Sequence, residues 1–102
     1  MDRRLELSDK LRKIIGNDNV YFQPPASVKI NYPCIIYNER RGSTTYANDS
    51  VYNYVKSYEL MFIFKKVNES IVKKVLESLT LCSFDRVYIA DNLYHYVFIT
   101  HY

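Results

Sequence analysis

Glycine is nearly missing from this chain: 2 of 102 residues, against a usual share of ~7%. Gly16 and Gly42 stand far apart. Loops that cradle phosphates and dinucleotide-binding turns need several closely spaced glycines, so both are excluded. Tryptophan is absent, and the two cysteines, Cys34 and Cys82, are isolated in apolar surroundings. Such a pair reads as free, buried thiols of a reducing compartment rather than a disulfide framework. The longest unbroken apolar run is residues 60–64, far too short to cross a bilayer, so no membrane contact is expected. The first sixteen residues are charged and lack an apolar stretch, so no secretion signal is expected. A strong excess of either charge is missing too. The net charge is +3, spread over residues 1–16, 29–41 and 55–66, and no dense basic block demands nucleic-acid binding.

What the chain does have is aromatic mass: 11 tyrosines and 5 phenylalanines within a composition 48% hydrophobic and 25% charged. That is the profile of one ordered domain over residues 1–102. Residues 2–15 read as a helix, with Leu7, Leu11, Ile14 and Ile15 on one stripe and Gly16-Asn17 as its stop. Residues 20–23 are β-prone and end at Pro24-Pro25. Residues 28–32 form another short extended piece, and residues 34–41 a solid strand.

Residues 42–53 are small and polar, a loop of the length that is often functional. Residues 54–66 alternate as a strand that would reach about 43 Å, longer than a typical strand. This pattern predicts a long hairpin, half inside the sheet and half projecting, with residues 34–41 as the second arm. Asn68 is expected to cap a helix over 69–79 whose buried stripe is Ile71, Val72, Val75, Leu76 and Leu79. Residues 83–90 and 94–101 form a hairpin about Asp91-Asn92. The order predicts an α+β fold: a mostly antiparallel sheet, two helices on one face and a long projecting β-hairpin.

Candidate chemistry is thin. Asp85, Arg86, Asp91, His95 and His101 gather acid–base groups, but His95 and His101 lie about 20 Å apart on one strand, and the plain reading is a polar turn with two strand histidines. A zinc site from Cys34, Cys82, His95 and His101 would use four separated single ligands, without the paired spacing that zinc sites have. No catalytic residue, cofactor or metal is therefore assigned. Tyr88, Tyr94, Tyr96 and Phe98 invite comparison with base-stacking sheets, but the accompanying basic and glycine signature is absent, and tyrosines of this kind more often pack a core or an interface. A small nucleic-acid-binding module is the alternative of another class. Arg40, Arg41 and Lys56 form a local positive patch beside the polar loop, a solvated hairpin edge or a contact for DNA or an acidic partner.

Two stretches carry a resemblance. Residues 21–41 contain Gln23-Pro24-Pro25, Val28-Lys29 and Tyr32-Pro33-Cys34. Residues 82–102 contain Phe84-Asp85-Arg86, Ala90-Asp91-Asn92-Leu93 and His95. Together they cover about 40% of the chain, and both resemble the tail terminator, or tail completion, proteins of long-tailed bacteriophages. The resemblance implies a non-enzymatic structural protein of the virion, assembled in the bacterial cytoplasm. It implies a homo-oligomeric, hexameric ring at the head-proximal end of the tail tube. Its partners would be the tail tube protein and the head–tail connector, with double-stranded DNA passing through the lumen without specific contacts. A head-side connector or stopper of the neck is the close alternative. On this reading the candidate interface or lumen residues are Arg40, Arg41, Tyr46, Tyr52, Tyr54, Lys56 and Tyr58. Tyr102 at the chain end joins them as a ring left for neighbouring subunits to cover.

Overall fold

A computed structural model of the protein describes residues 3–40 and 56–102. Its elements run α1 (Arg3–Ile15), β1 (Val20–Phe22), β2 (Cys34–Glu39), β3 (Ser57–Phe64), α2 (Ser70–Ser78), β4 (Cys82–Ala90) and β5 (Leu93–His101). Among the described residues the fold is α+β: two helices on a five-stranded sheet of order β1-β2-β3-β5-β4. The sheet is mixed. β1 runs parallel to β2, and the other three pairs are antiparallel.

The β2–β3 hairpin forms as its alternation predicts, from Cys34↔Ile63 to Glu39↔Tyr58. Its arms are shorter than the sequence pattern, and the projecting tip falls on residues outside the described ones. Residues 28–32 add no strand; Val28 N–H turns back to the Pro25 carbonyl at 3.1 Å.

One hydrophobic core lies between the helices and one sheet face. Leu7, Leu11 and Ile14 of α1 and Ile71, Val75 and Leu79 of α2 meet Ile35, Tyr37, Tyr58, Leu60, Phe62, Phe64, Tyr96 and Phe98. Aromatic rings run across that face. Tyr37 and Tyr58 meet edge-on at 5.9 Å, as do Phe62 and Phe98 at 5.4 Å and Phe64 and Tyr96 at 5.9 Å. Such pairs contribute about 0.5–1.5 kcal/mol beyond the area they bury.

Polar groups fix the helices over this surface. α1 ends where Gly16 adopts φ 82° and donates to the Arg12 carbonyl at 2.8 Å, the left-handed stop that lacks a Cβ penalty only in glycine. Ser8, buried on α1, hydrogen-bonds the Tyr37 hydroxyl. Asn17 and Asn19 each donate from their side-chain amides to the Pro33 carbonyl at 3.2 Å, tying the α1–β1 loop to the start of β2.

At α2 the capping expectation is corrected. The cap is Glu69, with no side-chain cap bond; the Asn68 side chain instead accepts from the Ser70 hydroxyl at 2.8 Å. The Asn68 backbone N–H donates to the Tyr96 hydroxyl at 3.0 Å, so a tertiary bond to β5 sets the start of the helix. Leu76 is also corrected, from buried stripe to 40% exposed, because α2 turns that side away from the sheet.

Candidate protein–protein interface

β3 and β4 have similar lengths and very different surroundings. β3 lies between two strands and is buried along most of its length. β4, nine residues long, is the sheet edge, and most of it is exposed. The register shifts between Phe84 and Arg86, so that Asp85 is an extra, bulged residue. A bulge of one residue reverses the side-chain alternation beyond it. Phe84 lies across from Phe98, Val87 from Tyr96 and Ile89 from Tyr94. All three apolar residues therefore share the helix-covered face. Tyr88 is sent to the other face, where it stacks on His95 at 4.7 Å and reaches the Met61 sulfur at 3.5 Å.

α2 meets β4 but leaves its apolar side chains uncovered. Phe84 is 38%, Val87 48% and Ile89 63% exposed. Between α2 and the β4–β5 hairpin lies an open groove of about 610 Å³ lined by Val67, Val72, Phe84, Val87, Ile89 and Tyr94. An exposed apolar surface beside an unpaired strand is a typical protein interaction site.

The edge also presents backbone groups in a definite order. Asp91 and Asn92, at φ 54° and 62°, make the two-residue type I′ turn, whose flanking pair Ala90↔Leu93 exchanges hydrogen bonds. Antiparallel pairs alternate from there, so Ile89 and Val87 turn their own N–H and C=O away from β5. At the far end the His101 N–H donates to the Leu81 carbonyl at 2.8 Å. Counting from that bonded pair, Cys82 and Phe84 also face outward. The bulge lies between the two outward-facing pairs, with Asp85 and Arg86 ion-paired to each other there and both partly exposed.

The residues named from sequence distribute otherwise. Arg40 and Lys56 lie together at one end of the β2–β3 hairpin, where the Arg40 N–H donates to the Ser57 carbonyl at 2.8 Å. Lys56 makes an ion pair with Glu39 at 3.7 Å, which partly neutralises the patch. Tyr58 is corrected: it is 3% exposed and sits in the core against Phe22 and Tyr37, because even-numbered residues of β3 point to the helix-covered face. Arg41, Tyr46, Tyr52 and Tyr54 lie outside the described residues. Tyr102 is likewise corrected from an uncovered chain end: it packs against the core, with Lys10 Nζ 5.1 Å from its ring centre. Lys10, Lys13 and Lys74 line a smaller groove of about 330 Å³ between the helices, a basic surface assembled only by the packing of α1 on α2.

The proposed stacking face is corrected as well. Tyr96 and Phe98 are buried beneath α2, and Tyr88 is on the opposite side. His95 Nδ1 is 3.0 Å from the Leu93 carbonyl, a local bond that leaves Asp91 out. His101 Nδ1 is 2.6 Å from the hydroxyl of buried Ser57, its cross-strand neighbour. Both cysteines are free thiols. Burial pushes each up to about 11, and at Cys82 a hydrogen bond with the Thr100 side chain opposes that rise. Among the described residues no group of His, Cys, Asp and Glu could hold a metal ion, and no helix is long and apolar enough to cross a membrane.

Compared with known proteins, the chain matches no protein-family model and no curated protein sequence.

Proposed function

We propose that this chain is a structural subunit that completes its surface against other protein chains. In the finer form of the proposal it is a tail terminator of a long-tailed bacteriophage: a homo-oligomeric ring, hexameric, at the head-proximal end of the tail tube. The ring ends tube polymerisation and joins the tail to the head connector while DNA passes through its lumen. No catalysis is needed for that role. The subunit belongs to the virion and is assembled in the host cytoplasm.

The observation that carries the general reading is the β4 edge. Outward backbone groups and the exposed side chains of Phe84, Val87 and Ile89 adjoin one apolar groove. A subunit of a closed assembly needs such surfaces, and a sheet edge supplies main-chain bonds together with side-chain pockets. The finer reading draws on the resemblance of residues 21–41 and 82–102 to tail terminators.

The test is to add the purified chain to polymerising tail-tube protein and image the products by electron microscopy. Tubes capped at one end by a ring with an open channel are the expected result. Tubes of unchanged length with the chain left in solution would sink the terminator reading. Retention on DNA-filled heads in place of tails would identify the head-side stopper instead.

A further inference from the structure

We propose that, away from any larger assembly, two copies of this chain pair β4 to β4 about a two-fold axis, making a continuous ten-stranded sheet. This inference stands on the strand itself and does not rest on the tail reading.

β4 is complementary to a second copy of itself. Cys82, Phe84, Val87 and Ile89 carry the outward backbone groups, and between Phe84 and Val87 lie two residues instead of one because of the bulge. A regular partner strand matches the bonds on one side of that bulge and loses phase on the other. A second copy of β4, run antiparallel, carries the same bulge. In one register all four outward residues find outward partners. Phe84 faces Val87 of the other copy, and Cys82 faces Ile89. Bulge then lies against bulge. Shifting the register by one residue sets every outward group against an inward one, and shifting by two keeps outward partners for only two of the four residues.

Side chains agree with that register. The dyad is perpendicular to the sheet, so the helix-covered faces of the two copies stay on the same side. Phe84–Val87 and Cys82–Ile89 contacts join the two apolar grooves into one covered layer. At the axis Asp85 of each copy meets Arg86 of the other, opposite charges at the only charged positions of the strand. Directly opposed charges stabilise a strand pair when unlike and destabilise it when like. Each face of the sheet thus meets matching chemistry, apolar to apolar on one side and acid to base on the other.

The test begins with sedimentation velocity of the full chain from low to high micromolar concentration. A monomer–dimer equilibrium is expected, and a strict monomer throughout would overturn the proposal. Asp85→Arg places like charges at both symmetry-related contacts and should weaken the dimer about tenfold. Adding Arg86→Asp to it restores unlike pairs, and dimerisation should recover; a double variant no tighter than the single one contradicts this register. Ile89→Cys supplies an independent reading, since hydrogen-bonded antiparallel neighbours have Cα atoms about 5.5 Å apart, within disulfide range. Under mild oxidation the new thiol should link to native Cys82 of the second copy. Peptide mapping that finds only a link between the two new thiols, or no link in a dimeric sample, would also overturn it.

Discussion

β3 and β4 are built from the same materials and behave as opposites. β3 holds Tyr58, Leu60, Phe62 and Phe64 on its helix side, each at most 9% exposed. β4 holds Phe84, Val87 and Ile89 on the same side of the same sheet, and none is buried. Hydrophobicity alone does not separate them. The difference is neighbours: β3 has strands on both sides and both helices above it, whereas β4 has β5 on one side and the rim of α2. Equal residues therefore contribute stability in one place and an exposed apolar surface in the other.

The largest test of this contrast is a pair of truncations. Phe98→Ala opens a cavity beneath the helices between the rings of Phe62 and Phe84, and should lower stability by about 3–5 kcal/mol. Ile89→Ala removes a side chain already in water and should lie within about 0.5 kcal/mol for the isolated chain. Urea unfolding measures both, under conditions where the wild type is monomeric. Similar losses would show that β4 shares the core after all.

A smaller effect comes from the thiols, one from each region: Cys34 begins β2 in the interior and Cys82 begins the edge. Folded, both stay protonated up to about 11; their ordinary value is 9.0. Below pH 9 folded and unfolded chains bind the same protons here, so the contribution is whole. Above it the unfolded thiols ionise first, and stability is lost through pH 11. The loss is at most about 3 kcal/mol for buried Cys34 and smaller for the partly exposed Cys82. Comparing wild type with the Cys34→Ala and Cys82→Ala variants over this window should show a flatter decline in each variant. A slope unchanged by either substitution would remove the burial argument for that residue.

The Ser8–Tyr37 bond is a polar tie inside the region that makes β3 a core strand. Ser8→Ala or Tyr37→Phe should each cost about 1 kcal/mol. In the double variant the losses should be less than additive, because the shared bond is removed only once. Full additivity would show that the hydroxyls do not depend on each other. Gly16→Ala should cost a similar or smaller amount, about 1 kcal/mol, since φ is 82° there and nothing lies within 4 Å of an added Cβ. Its measured cost is therefore conformational, with no clash to confuse it.

Much of the interior is legible from periodicity. Leu7, Leu11 and Ile14 at helical spacing, and the alternation of residues 57–64, name core residues because burial on one face imposes one period. The hairpin turn at Asp91-Asn92 is legible too, since both residues tolerate positive φ. The exposed apolar edge is not. Phe84, Val87 and Ile89 do not alternate, and nothing local announces that Asp85 is bulged. Tyr58 reads as a loop-side ring and is a core ring, because how far α1 extends over the β2–β3 hairpin depends on residues far away in sequence.

Local pattern, then, determined the elements, their order and most of the buried stripe, because side-chain period and turn chemistry act between near neighbours in the chain. Only tertiary structure decided that β1 joins parallel to β2, that Tyr96 sets the start of α2, and that β4 is the uncovered edge. Those outcomes depend on which strands and helices meet, and sheet pairing is settled between residues far apart in sequence. The one-residue bulge then decides which side chains β4 leaves uncovered.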